Sequence, residues 1–480
     1  MGARKRGVCK TKIVATIGPS SFGKKRLRQL FAAGVDGFRL NLSHGDLDQH
    51  AATMEKIRQL RAESGKAAAI IIDLPGPKMR LGILPAPVTV RRGERVFFSP
   101  QGIAPPEGGV WLPHEIPDLA TGLRPGALIF VGDGMLQFRV RALSGPVVET
   151  EALVGGVVRS QKGINIPGYD PPAGVLTPED RRGIAFAVEQ GAEVVCISFV
   201  GGPEDLLAAR ALLPAAPQAR PWLLAKIERR QAVARLDAIL AVADAVMVAR
   251  GDLGIELPIE EIPVWQKEIV RRANLAAKPV IVATQMLLSM VENSRPTRAE
   301  VTDVANAILD GADAIMFSEE TAIGRDPAAV VRVARRIARQ TERELVRSGS
   351  TATAVRNLIR RSDNIDDLIS SAACDVLENH TVDLAVTPTA TGTTARRIAR
   401  LRPRPLVVAI TDSAAVGNAL ALSFGVLPLV VPSARLSDSE LALLLKQAGL
   451  LRPGQRLVIT SGSPFGVPGT TNSLKILDIC

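Results

Sequence analysis

The stretch VMVARGDLGIE, residues Val246 to Glu256, joins an aliphatic run directly to a charged, glycine-containing turn. The apolar residues end at Ala249, and a carboxylate, Asp252, follows three positions later. If Gly251 and Asp252 open a helical turn, their backbone N–H groups point outward, and such a helix start binds a carboxylate or a phosphate. The stretch therefore predicts a buried strand, a tight turn that leads into a helix, and an anion site at the turn.

Eight short aliphatic runs of this kind occur between residues 12 and 318, and segments with helical periodicity lie between them. Strands that alternate with helices indicate parallel pairing. Eight such units predict a closed (β/α)8 TIM barrel, although periodicity alone also allows an open, doubly wound sheet. The runs are KIVATI (12–17), GFRLN (37–41), AIIID (69–73), EVVCIS (193–198), WLLAKI (222–227), AVMVA (245–249), PVIVAT (279–284) and DAIMFS (313–318).

The helical pattern stops after Asp73, and short β-type runs separated by Pro and Gly replace it until about residue 160. We predict a small all-β domain inserted after the third strand. Loops at this position lie on the catalytic face of a barrel and can act as lids. The strand–helix pattern resumes after about residue 350. The predicted domains are the β/α barrel (residues 1–74 and 161–345), the β lid (75–160) and a C-terminal α/β domain with a regulatory and interface role (350–480).

The composition is that of a globular protein, with 46% hydrophobic and 22% charged residues. The net charge is +11, but the basic cluster MGARKR stands alone and no basic stripe carries aromatic residues, so we expect no nucleic-acid binding. The four cysteines are far apart and form no CxxC pair, which argues against zinc and disulfides and favours a cytoplasmic location. No apolar run reaches the ~18 residues of a membrane span, so we expect no membrane insertion.

Polar residues stand at the ends of the predicted barrel strands, and in a barrel all these ends face the same mouth. Glu228 and Asp252 come from adjacent strands and can share one divalent ion, for which carboxylate oxygens favour Mg²⁺ or Mn²⁺. Alternation along a strand puts Lys226 on the same side as Glu228, so we expect an ammonium beside the metal. The polar residues at the strand ends are Thr16, Arg39, Asn41, Ser43, Asp73, Lys226, Glu228, Asp252, Thr284 and Ser318.

Each of these residues has a structural alternative when it is considered singly. A lone acid after a strand is commonly a helix cap, as Asp252 and Asp73 could be, and a lone lysine is usually solvated. The observation that favours catalysis is the convergence of Arg39, Lys226, Glu228 and Asp252 on one rim. Cation-rich sites with a divalent metal suit phosphoryl transfer.

Motifs distributed along the chain resemble those of the pyruvate kinase family, and their number and order make the resemblance specific. It implies a TIM barrel, a small β-barrel lid and a C-terminal α/β domain, usually assembled as a homotetramer. It also implies transfer of the phosphoryl group of phosphoenolpyruvate to ADP, giving ATP and pyruvate. The motifs are TKIVATIGPSS, FRLNLSHG, DLPGPKMR, KGINIPG, AKIE, VMVARGDLGIE, ATQMLLSM, RPTRAEVTDVANAILDGADAIMFS and GVPGTTN.

The resemblance implies a role for each matching residue. Glu228 and Asp252 hold the Mg²⁺ (or Mn²⁺), Lys226 neutralises charge on the phosphoryl group in flight, and Arg39 holds that group. The remaining implied roles are substrate carboxylate binding by the Gly251 and Asp252 amides and Thr284, a position near the methylene carbon for Thr284 and Ser318, and nucleotide binding by Arg80, Lys162, Thr16 and His44.

Many members of the family also require K⁺, and the resemblance implies how this chain differs. The matching K⁺ ligands are Asn41, Ser43, Asp73 and the carbonyl of Leu74. This chain carries Lys78 where such members carry Glu, and an ammonium supplies the same single positive charge. The resemblance is to the K⁺-independent branch, so we expect no K⁺ requirement. A solvent-exposed lysine is the alternative.

The C-terminal domain contains the loop TPTATGTTARRIAR, in which threonines surround a glycine just before a basic helix. Hydroxyls and free N–H groups of this kind can bind a phosphate. Related members bind regulators such as AMP or sugar phosphates here, so we predict an effector phosphate site, and a loop that only caps its helix is the alternative. The predicted residues are Thr389, Thr391, Gly392, Thr393 and Thr394.

Two other functions remain open from the sequence. A Mg²⁺-dependent pyruvate-enolate lyase or aldolase on a β/α barrel would also pair Glu228 with Asp252, but it would not need Lys226 and a nucleotide-facing insertion. A nucleic-acid-binding protein would show steeply salt-dependent duplex binding. Glu319 follows Ser318 where the family commonly has Gly or Ala, and the sequence gives no account of this carboxylate.

Overall fold

The computed structural model describes residues 8–479 except 78, 105, 117, 133, 170–173, 217–218, 349 and 463–470, and for residues 348 and 350–354 it describes the backbone alone. Lys78, and residues 466–470 of the GVPGTTN motif, therefore lie outside the described residues. Elements are numbered in chain order. The strands are β1 (Lys12–Thr16), β2 (Gly37–Asn41), β3 (Ala69–Asp73), β4 (Val88–Val90), β5 (Arg95–Pro100), β6 (Val110–His114), β7 (Leu128–Val131), β8 (Leu136–Ser144), β9 (Val147–Val154), β10 (Gly156–Val158), β11 (Ile164–Asn165), β12 (Val194–Ile197), β13 (Trp222–Ile227), β14 (Ala245–Ala249), β15 (Val280–Ala283), β16 (Ala314–Phe317), β17 (Leu384–Pro388), β18 (Leu406–Thr411), β19 (Val426–Val430), β20 (Arg456–Gly462) and β21 (Thr471–Asp478).

The helices lie mainly between the parallel strands. Several begin with the capping signals that their sequences carry, as where Thr177 and Asp180 form a reciprocal capping box. The α-helices are α1 (Lys24–Ala33), α2 (Leu47–Ser64), α3 (Pro178–Glu189), α4 (Pro203–Arg210), α5 (Arg230–Ala234), α6 (Leu236–Val242), α7 (Arg250–Glu256), α8 (Ile262–Leu275), α9 (Arg298–Asp310), α10 (Glu319–Ala322), α11 (Pro327–Ser348), α12 (Ser350–Ile359), α13 (Ile365–Asn379), α14 (Thr393–Ala399), α15 (Ala414–Leu420) and α16 (Asp438–Gln447).

The eight predicted barrel strands close into a ring of parallel strands in the order β1-β16-β15-β14-β13-β12-β3-β2. The prediction of a closed barrel is therefore confirmed, and the open doubly wound sheet is excluded. The closing pair joins β1 to β16, with Lys12 opposite Ala314 and Ala15 opposite Phe317. All eight strands consequently direct their carboxyl ends to the same mouth.

Side chains alternate between the two faces of the barrel wall, as the period of two requires. On β13, Leu223 and Ala225 belong to the core that the strands share with the surrounding helices. Trp222 and Leu224 belong to a different cluster, formed with alternate residues of the other strands inside the barrel. Lys226 continues the inward set toward the mouth, so an ammonium stands where the apolar interior ends.

The inserted segment forms a six-stranded sheet of order β11-β7-β8-β9-β5-β6 and a two-stranded ribbon of β10 and β4. In the described part of the lid, the edge strands β11 and β6 are not paired with each other directly, but the segment at Arg80 and Leu81 bridges them, to Gly163 beside β11 and to His114 of β6. The sheet therefore closes toward the small β-barrel that was expected. Its core is aliphatic and aromatic, with Phe98 and Phe138 in edge-to-face contact. The two connections to the barrel meet at a bridge between Arg80 and Gly163.

The C-terminal domain is a five-stranded sheet of order β19-β18-β17-β20-β21, parallel except for β21. It packs against the amino-terminal ends of the barrel strands, opposite the mouth. The Arg396 guanidinium lies over the Trp222 ring at 4.8 Å, and Asn418 Nδ2 donates to Glu193 Oε1 at 3.0 Å. Within the described residues, no helix is long and apolar enough to cross a membrane.

Candidate active site

Lys226 and Glu228 stand at the carboxyl end of β13, one residue apart, and face each other. Lys226 Nζ lies 2.8 Å from Glu228 Oε1 and donates to Ser198 Oγ at 2.9 Å. It also lies 3.6 Å from Asp73 Oδ1. Burial alone would lower the pKa of Lys226, but Asp73, Glu228 and Asp252 outweigh it and raise that pKa. The ammonium therefore stays charged at the centre of three carboxylates.

Glu228 is completely buried, and its two oxygens have different environments. Oε2 accepts the Phe199 N–H at 2.7 Å, whereas Oε1 receives no hydrogen bond from the described residues and depends on the Lys226 ion pair. Burial raises the pKa of Glu228 to about 7; Lys226 opposes this rise, and the charge of Asp252 adds to it. The carboxylate is thus short of positive charge, which is the condition that a bound cation relieves.

Arg39 at the end of β2 is fixed by two neighbours. Its Nε donates to Asp73 Oδ2 at 2.6 Å, and its Nη1 donates to Thr16 Oγ1 at 3.0 Å. Because Asp73 also lies near Lys226, one buried carboxylate holds both cations on the same side of the mouth. Thr16 is buried and does not line the cavity described below, so its hydroxyl supports Arg39.

The opening motif folds as predicted, because β14 ends at Ala249 and α7 begins at Arg250. The Gly251 N–H donates to Thr284 Oγ1 at 2.9 Å, so this amide already has an acceptor. Thr284 was expected at the end of its strand, but β15 ends at Ala283 and Thr284 has a φ of +73°. Such a φ is rare for a β-branched residue and marks a strained position.

A cavity of about 510 Å³ opens between the barrel mouth and the lid. Arg39, Lys226 and Asp252 line its barrel side. Arg80 and Lys162, on the two lid connections, line the opposite side, and Arg80 Nη1 donates to the Gln161 carbonyl at 3.3 Å. The predicted residues that also line it are Asn41, Ser43, His44, Asp73 and Leu74. The predicted residues that do not are Thr16, Glu228, Gly251, Thr284 and Ser318.

The residues matched to K⁺ ligands lie together on this wall, and several of their oxygens already accept hydrogen bonds. Asn41 Oδ1 accepts the Ser43 N–H at 3.1 Å, and the Leu74 carbonyl accepts Ser198 Oγ–H at 2.7 Å. Ser198 thus connects the Lys226 ammonium to the first residue of the lid connection. In the described residues, no three His, Cys, Asp or Glu side chains form a metal cage.

The predicted effector residues form a compact loop before α14, remote from the mouth. Gly392 has a φ of +83°, and its N–H donates to Thr389 Oγ1 at 2.9 Å. Thr391 and Thr393 share a hydroxyl–hydroxyl hydrogen bond of 3.0 Å, and Thr394 bonds Thr471 at 2.7 Å. The hydroxyls are therefore grouped, as the sequence predicted.

Several residues that shape the site were missed from the sequence. Ser198 and Phe199 follow β12 and hold Lys226 and Glu228, and the position of Ser198 at a strand end was a signal that could have identified it. Arg229 is buried, lines the cavity and donates to the Tyr169 carbonyl at 2.6 Å. Glu320 is buried behind Ser318. The hydrogen bonds of Glu320 join different elements of the barrel, so no local sequence pattern predicts them.

Comparison with known proteins gives the family. The family described as "Pyruvate kinase, barrel domain" matches residues 8–331, and "Pyruvate kinase, alpha/beta domain" matches residues 367–477. The chain belongs to the pyruvate kinase family. It is 40% identical to a pyruvate kinase of Thermococcus litoralis over 473 residues, covering 98% of each chain. It is 38% identical to a pyruvate kinase of Geobacillus stearothermophilus over 476 residues, covering 97% of this chain and 80% of the relative.

A solved structure agrees with these relatives. The crystal structure of a pyruvate kinase from Cryptosporidium parvum superposes with a TM-score of 0.90 at 30% identity, covering 98% of this chain and 96% of that one. Members of the pyruvate kinase family are phosphotransferases, so the chain is an enzyme of this class, and the lyase alternative is not favoured.

Proposed function

We propose that this enzyme transfers the phosphoryl group of phosphoenolpyruvate to ADP, giving ATP and pyruvate. The observation that carries the proposal is the convergence of Lys226, Arg39 and Asp252 on one cavity between barrel and lid, with Glu228 paired to Lys226 behind the cavity wall. A lyase would need the carboxylates but not two fixed cations opposite two further basic residues on the lid. The cavity suits a doubly anionic group that passes from one bound substrate to another.

Arg39 and Lys226 act on the phosphoryl group in this proposal. The guanidinium holds its oxygens by a fork of N–H donors, and the Asp73 contact at 2.6 Å fixes the direction of that fork. The Lys226 ammonium stays charged because three carboxylates surround it. It can therefore neutralise the charge on the group in transit without moving, which is how preorganised charge lowers a barrier.

The donor set at the mouth fits a divalent ion with oxygen ligands. Glu228 Oε1 accepts no hydrogen bond from the described residues, and Asp252 lines the adjacent cavity. Glu228 and Asp252 would hold Mg²⁺ or Mn²⁺, with substrate oxygens and water as the other ligands. When bound, the ion supplies positive charge to the enol and carboxylate oxygens of the substrate.

The start of α7 and Thr284 act on the remainder of phosphoenolpyruvate. The Gly251 and Asp252 amides would donate to the substrate carboxylate, for which the substrate replaces Thr284 Oγ1 as the acceptor at Gly251. Gly251 has no neighbouring atom within 3.6 Å of a built Cβ, so a ligand can approach. The Thr284 hydroxyl donates to the Ala283 carbonyl at 2.6 Å, and it would turn from that carbonyl to donate to the carboxylate. Thr284 and Ser318 would lie near the methylene carbon of the substrate. A water molecule between them and this carbon would deliver the proton.

The lid residues are proposed for the nucleotide. Arg80 and Lys162 would bind the ADP phosphates, and their position on paired lid connections links nucleotide binding to lid closure. His44 is exposed on the cavity rim and is a further nucleotide candidate. Thr16 would contribute through Arg39, given its hydrogen bond to that residue.

Two finer proposals concern ions and regulation. We propose that K⁺ is not required because Lys78 substitutes for it, and the engaged oxygens of Asn41 and Leu74 support this. We also propose that the loop around Gly392 binds a phosphorylated effector, either AMP or a sugar phosphate. Homotetramer assembly is proposed from the family.

A hydroxyl pair close to the effector loop supports the second proposal. Thr387 on β17 and Thr460 on β20 have buried hydroxyls without a hydrogen-bond partner in the described residues. Their strands are neighbours at the point where the strand order reverses, which is where open α/β sheets bind ligands. Calorimetric titration of AMP and of sugar phosphates, repeated with Thr393→Val, tests the site, and no binding by either class would contradict it.

The test of the main proposal measures ATP and pyruvate from phosphoenolpyruvate and Mg²⁺, with and without ADP. We expect equal amounts of ATP and pyruvate with ADP and neither without it. Pyruvate released at the same rate without ADP would instead indicate hydrolysis of phosphoenolpyruvate with water as the acceptor, and no pyruvate under either condition would favour the lyase alternative. Asp252→Asn should lower the rate by ~10²-fold or more through loss of a metal ligand. Asp326→Asn, which alters an exposed carboxylate, is the matched control.

A further inference from the structure

The strained turn after β15 is held from two sides by charged groups, a partly buried arginine and a buried glutamate. Thr284 has a φ of +73° and Gln285 a φ of +53°, so two consecutive side-chain-bearing residues adopt the left-handed region. Such conformations persist only where the surroundings fix them. The groups that fix this turn are Arg250, from the first turn of α7, and Glu320, from α10.

Arg250 donates hydrogen bonds to the carbonyl groups of the turn. Its Nη2 donates to the Thr284 carbonyl at 2.7 Å and to Met286 Sδ at 2.8 Å, and its Nε donates to the Ala283 carbonyl at 3.3 Å. Its Nη1 is anchored by Asp303 at 2.7 Å. The guanidinium thus connects the helix start that carries Gly251 directly to the backbone of Thr284.

Glu320 accepts a hydrogen bond from a backbone amide that follows the same turn. Its Oε1 accepts the Leu287 N–H at 3.0 Å, and its Oε2 accepts the Ser318 N–H at 2.8 Å. The carboxylate is 1% exposed and receives these two amides from two different barrel loops. It therefore sets the position of the Thr284 turn relative to Ser318.

We propose that Arg250 and Glu320 are positioning residues that keep Thr284 and Ser318 aligned for protonation of the enolate, in addition to stabilising the fold. This inference rests on the proposed function. In the protonation step, the electrons of the enolate form a C–H bond at the methylene carbon with a proton delivered through water. The C–O bond at the adjacent carbon returns to a carbonyl, and nothing is oxidised or reduced. Neither residue touches the substrate, so neither is a catalytic residue.

The proposal separates two rates that a general structural role would lower together. Phosphoryl transfer depends on Lys226 and Arg39, whose hydrogen bonds and ion pairs in the described residues go to Asp73, Thr16, Ser198 and Glu228. Protonation depends on the turn, because a displacement of about 1 Å at a reacting group can cost ~10²-fold in rate. Loss of the hydrogen bonds of either Arg250 or Glu320 should therefore slow protonation more than ATP formation.

The experiment measures ATP formation from phosphoenolpyruvate and ADP, and exchange of the pyruvate methyl protons for deuterium by NMR in D₂O. We expect Glu320→Gln to lower the exchange rate by ~10²-fold and ATP formation at saturating substrate by less than ~10-fold. Arg250→Lys keeps the charge but loses the fork, and we expect the same split. The matched control is Glu300→Gln, because Glu300 also accepts two amides, from Ser289 at 2.7 Å and Thr297 at 2.8 Å, but lies beyond the turn.

Equal losses of both rates in Glu320→Gln, or the same split in Glu300→Gln, would overturn the proposal. If neither main variant folds, Asp303→Asn loosens Arg250 at a half-exposed position, and an unchanged exchange rate there would overturn it as well. A wild-type enzyme that forms no ATP would instead refute the proposed function. The two failures are therefore distinguishable.

Discussion

Lys226 Nζ lies 2.8 Å from Glu228 Oε1, and the two residues are separated by a single position at the end of β13. In the described residues, Glu228 Oε1 accepts no hydrogen bond and is paired with this ammonium, whereas Glu228 Oε2 accepts the Phe199 N–H. The carboxylates of Asp73, Glu228 and Asp252 raise the pKa of Lys226 and hold this ammonium charged within a buried site. The Ser198 hydroxyl fixes the ammonium from a second direction. The direction of the Lys226 side chain is thus set by the protein before any substrate binds.

Replacement of Lys226 by Met should remove the charge that acts on the phosphoryl group. We expect turnover to fall by at least ~10³-fold, since loss of one preorganised charge contact costs this much in other active sites. Lys66→Met is the control, because Lys66 likewise donates a hydrogen bond, to the Val35 carbonyl, and pairs with Asp36, but lies at the opposite end of the barrel. Steady-state assays of both variants decide, and a loss below ~10-fold in Lys226→Met would contradict the assigned role.

Removal of K⁺ should leave the activity in place. Lys78 is proposed to supply the single positive charge of the alkali ion, and the Leu74 carbonyl that would coordinate K⁺ already accepts the Ser198 hydroxyl at 2.7 Å. Assays in tetramethylammonium buffers, with K⁺ then added back, measure the requirement. Activity that vanishes without K⁺ and returns with it would disprove the substitution.

The Lys78→Glu variant is the control for this experiment, because it should create a requirement for K⁺. A carboxylate at this position removes the ammonium and adds a negative charge that a K⁺ ion can balance. We expect this variant to be inactive without K⁺ and to recover when K⁺ is added. Recovery with any monovalent salt would show a general effect of ionic strength.

The predictions from sequence succeeded where a pattern is local. β13 and β14 have the predicted bounds because each is an aliphatic run ended by a charge, and alternation along β13 put Lys226 beside Glu228. In the lid, β6 (Val110–His114) could not be placed from its sequence, because it contains a proline, which is tolerated at the edge of the sheet. It runs parallel to β5, so their pairing depends on the connection that carries the chain back between them, which no short segment encodes.

The parts of the site that the sequence did not give depend on contacts between distant segments. Thr284 reads as the last residue of a strand, and only the groups packed around it, Arg250 and Glu320, impose its positive φ. Thr16 reads as a residue at the open mouth, yet it is buried as an acceptor for Arg39. Spacing along the chain predicts which face a residue occupies, but not which neighbour takes its hydrogen bonds.

Gly76 on the outgoing lid connection should resist substitution more strongly than another glycine of the same backbone conformation. Its φ is +66°, and a Cβ there would lie 2.8 Å from Ser198 Cβ and 2.9 Å from the Phe199 ring. Gly93 has a φ of +82° with nothing within 4 Å, so Gly93→Ala measures the backbone cost alone. We expect Gly76→Ala to lower the free energy of unfolding by about 1–3 kcal/mol more than Gly93→Ala, because overpacking adds to the strain.

The same substitution should also slow catalysis. Ser198 accepts the Lys226 hydrogen bond, and the Phe199 N–H holds Glu228, so a shift of these residues displaces both. Urea denaturation gives the two free energies, and assays give the two rates. If Gly76→Ala and Gly93→Ala lowered the free energy of unfolding equally, Ser198 and Phe199 would be able to move aside for the added methyl group without loss of stability.

His114 in the lid core should make the stability of the protein fall on acidification. It is 1% exposed, its Nδ1 accepts the Ile116 N–H at 3.2 Å, and burial lowers its pKa from 6.5 to about 4. The unfolded chain therefore takes up the proton first as the pH falls. The stability that neutral His114 contributes is present above pH 6.5 and is lost as the pH falls from about 6.5 to about 4, with a slope of at most about 1.4 kcal/mol per pH unit.

His114→Gln isolates this contribution, because glutamine keeps an acceptor but does not titrate. We expect the unfolding free energy of the wild type, relative to His114→Gln, to decline between pH 6.5 and 4 and to be constant above pH 7. Urea denaturation at fixed pH steps measures the difference, and His380→Gln, which replaces an exposed histidine, is the control. A difference that does not change over this range would mean that water reaches the imidazole in the folded lid and stabilises its charged form.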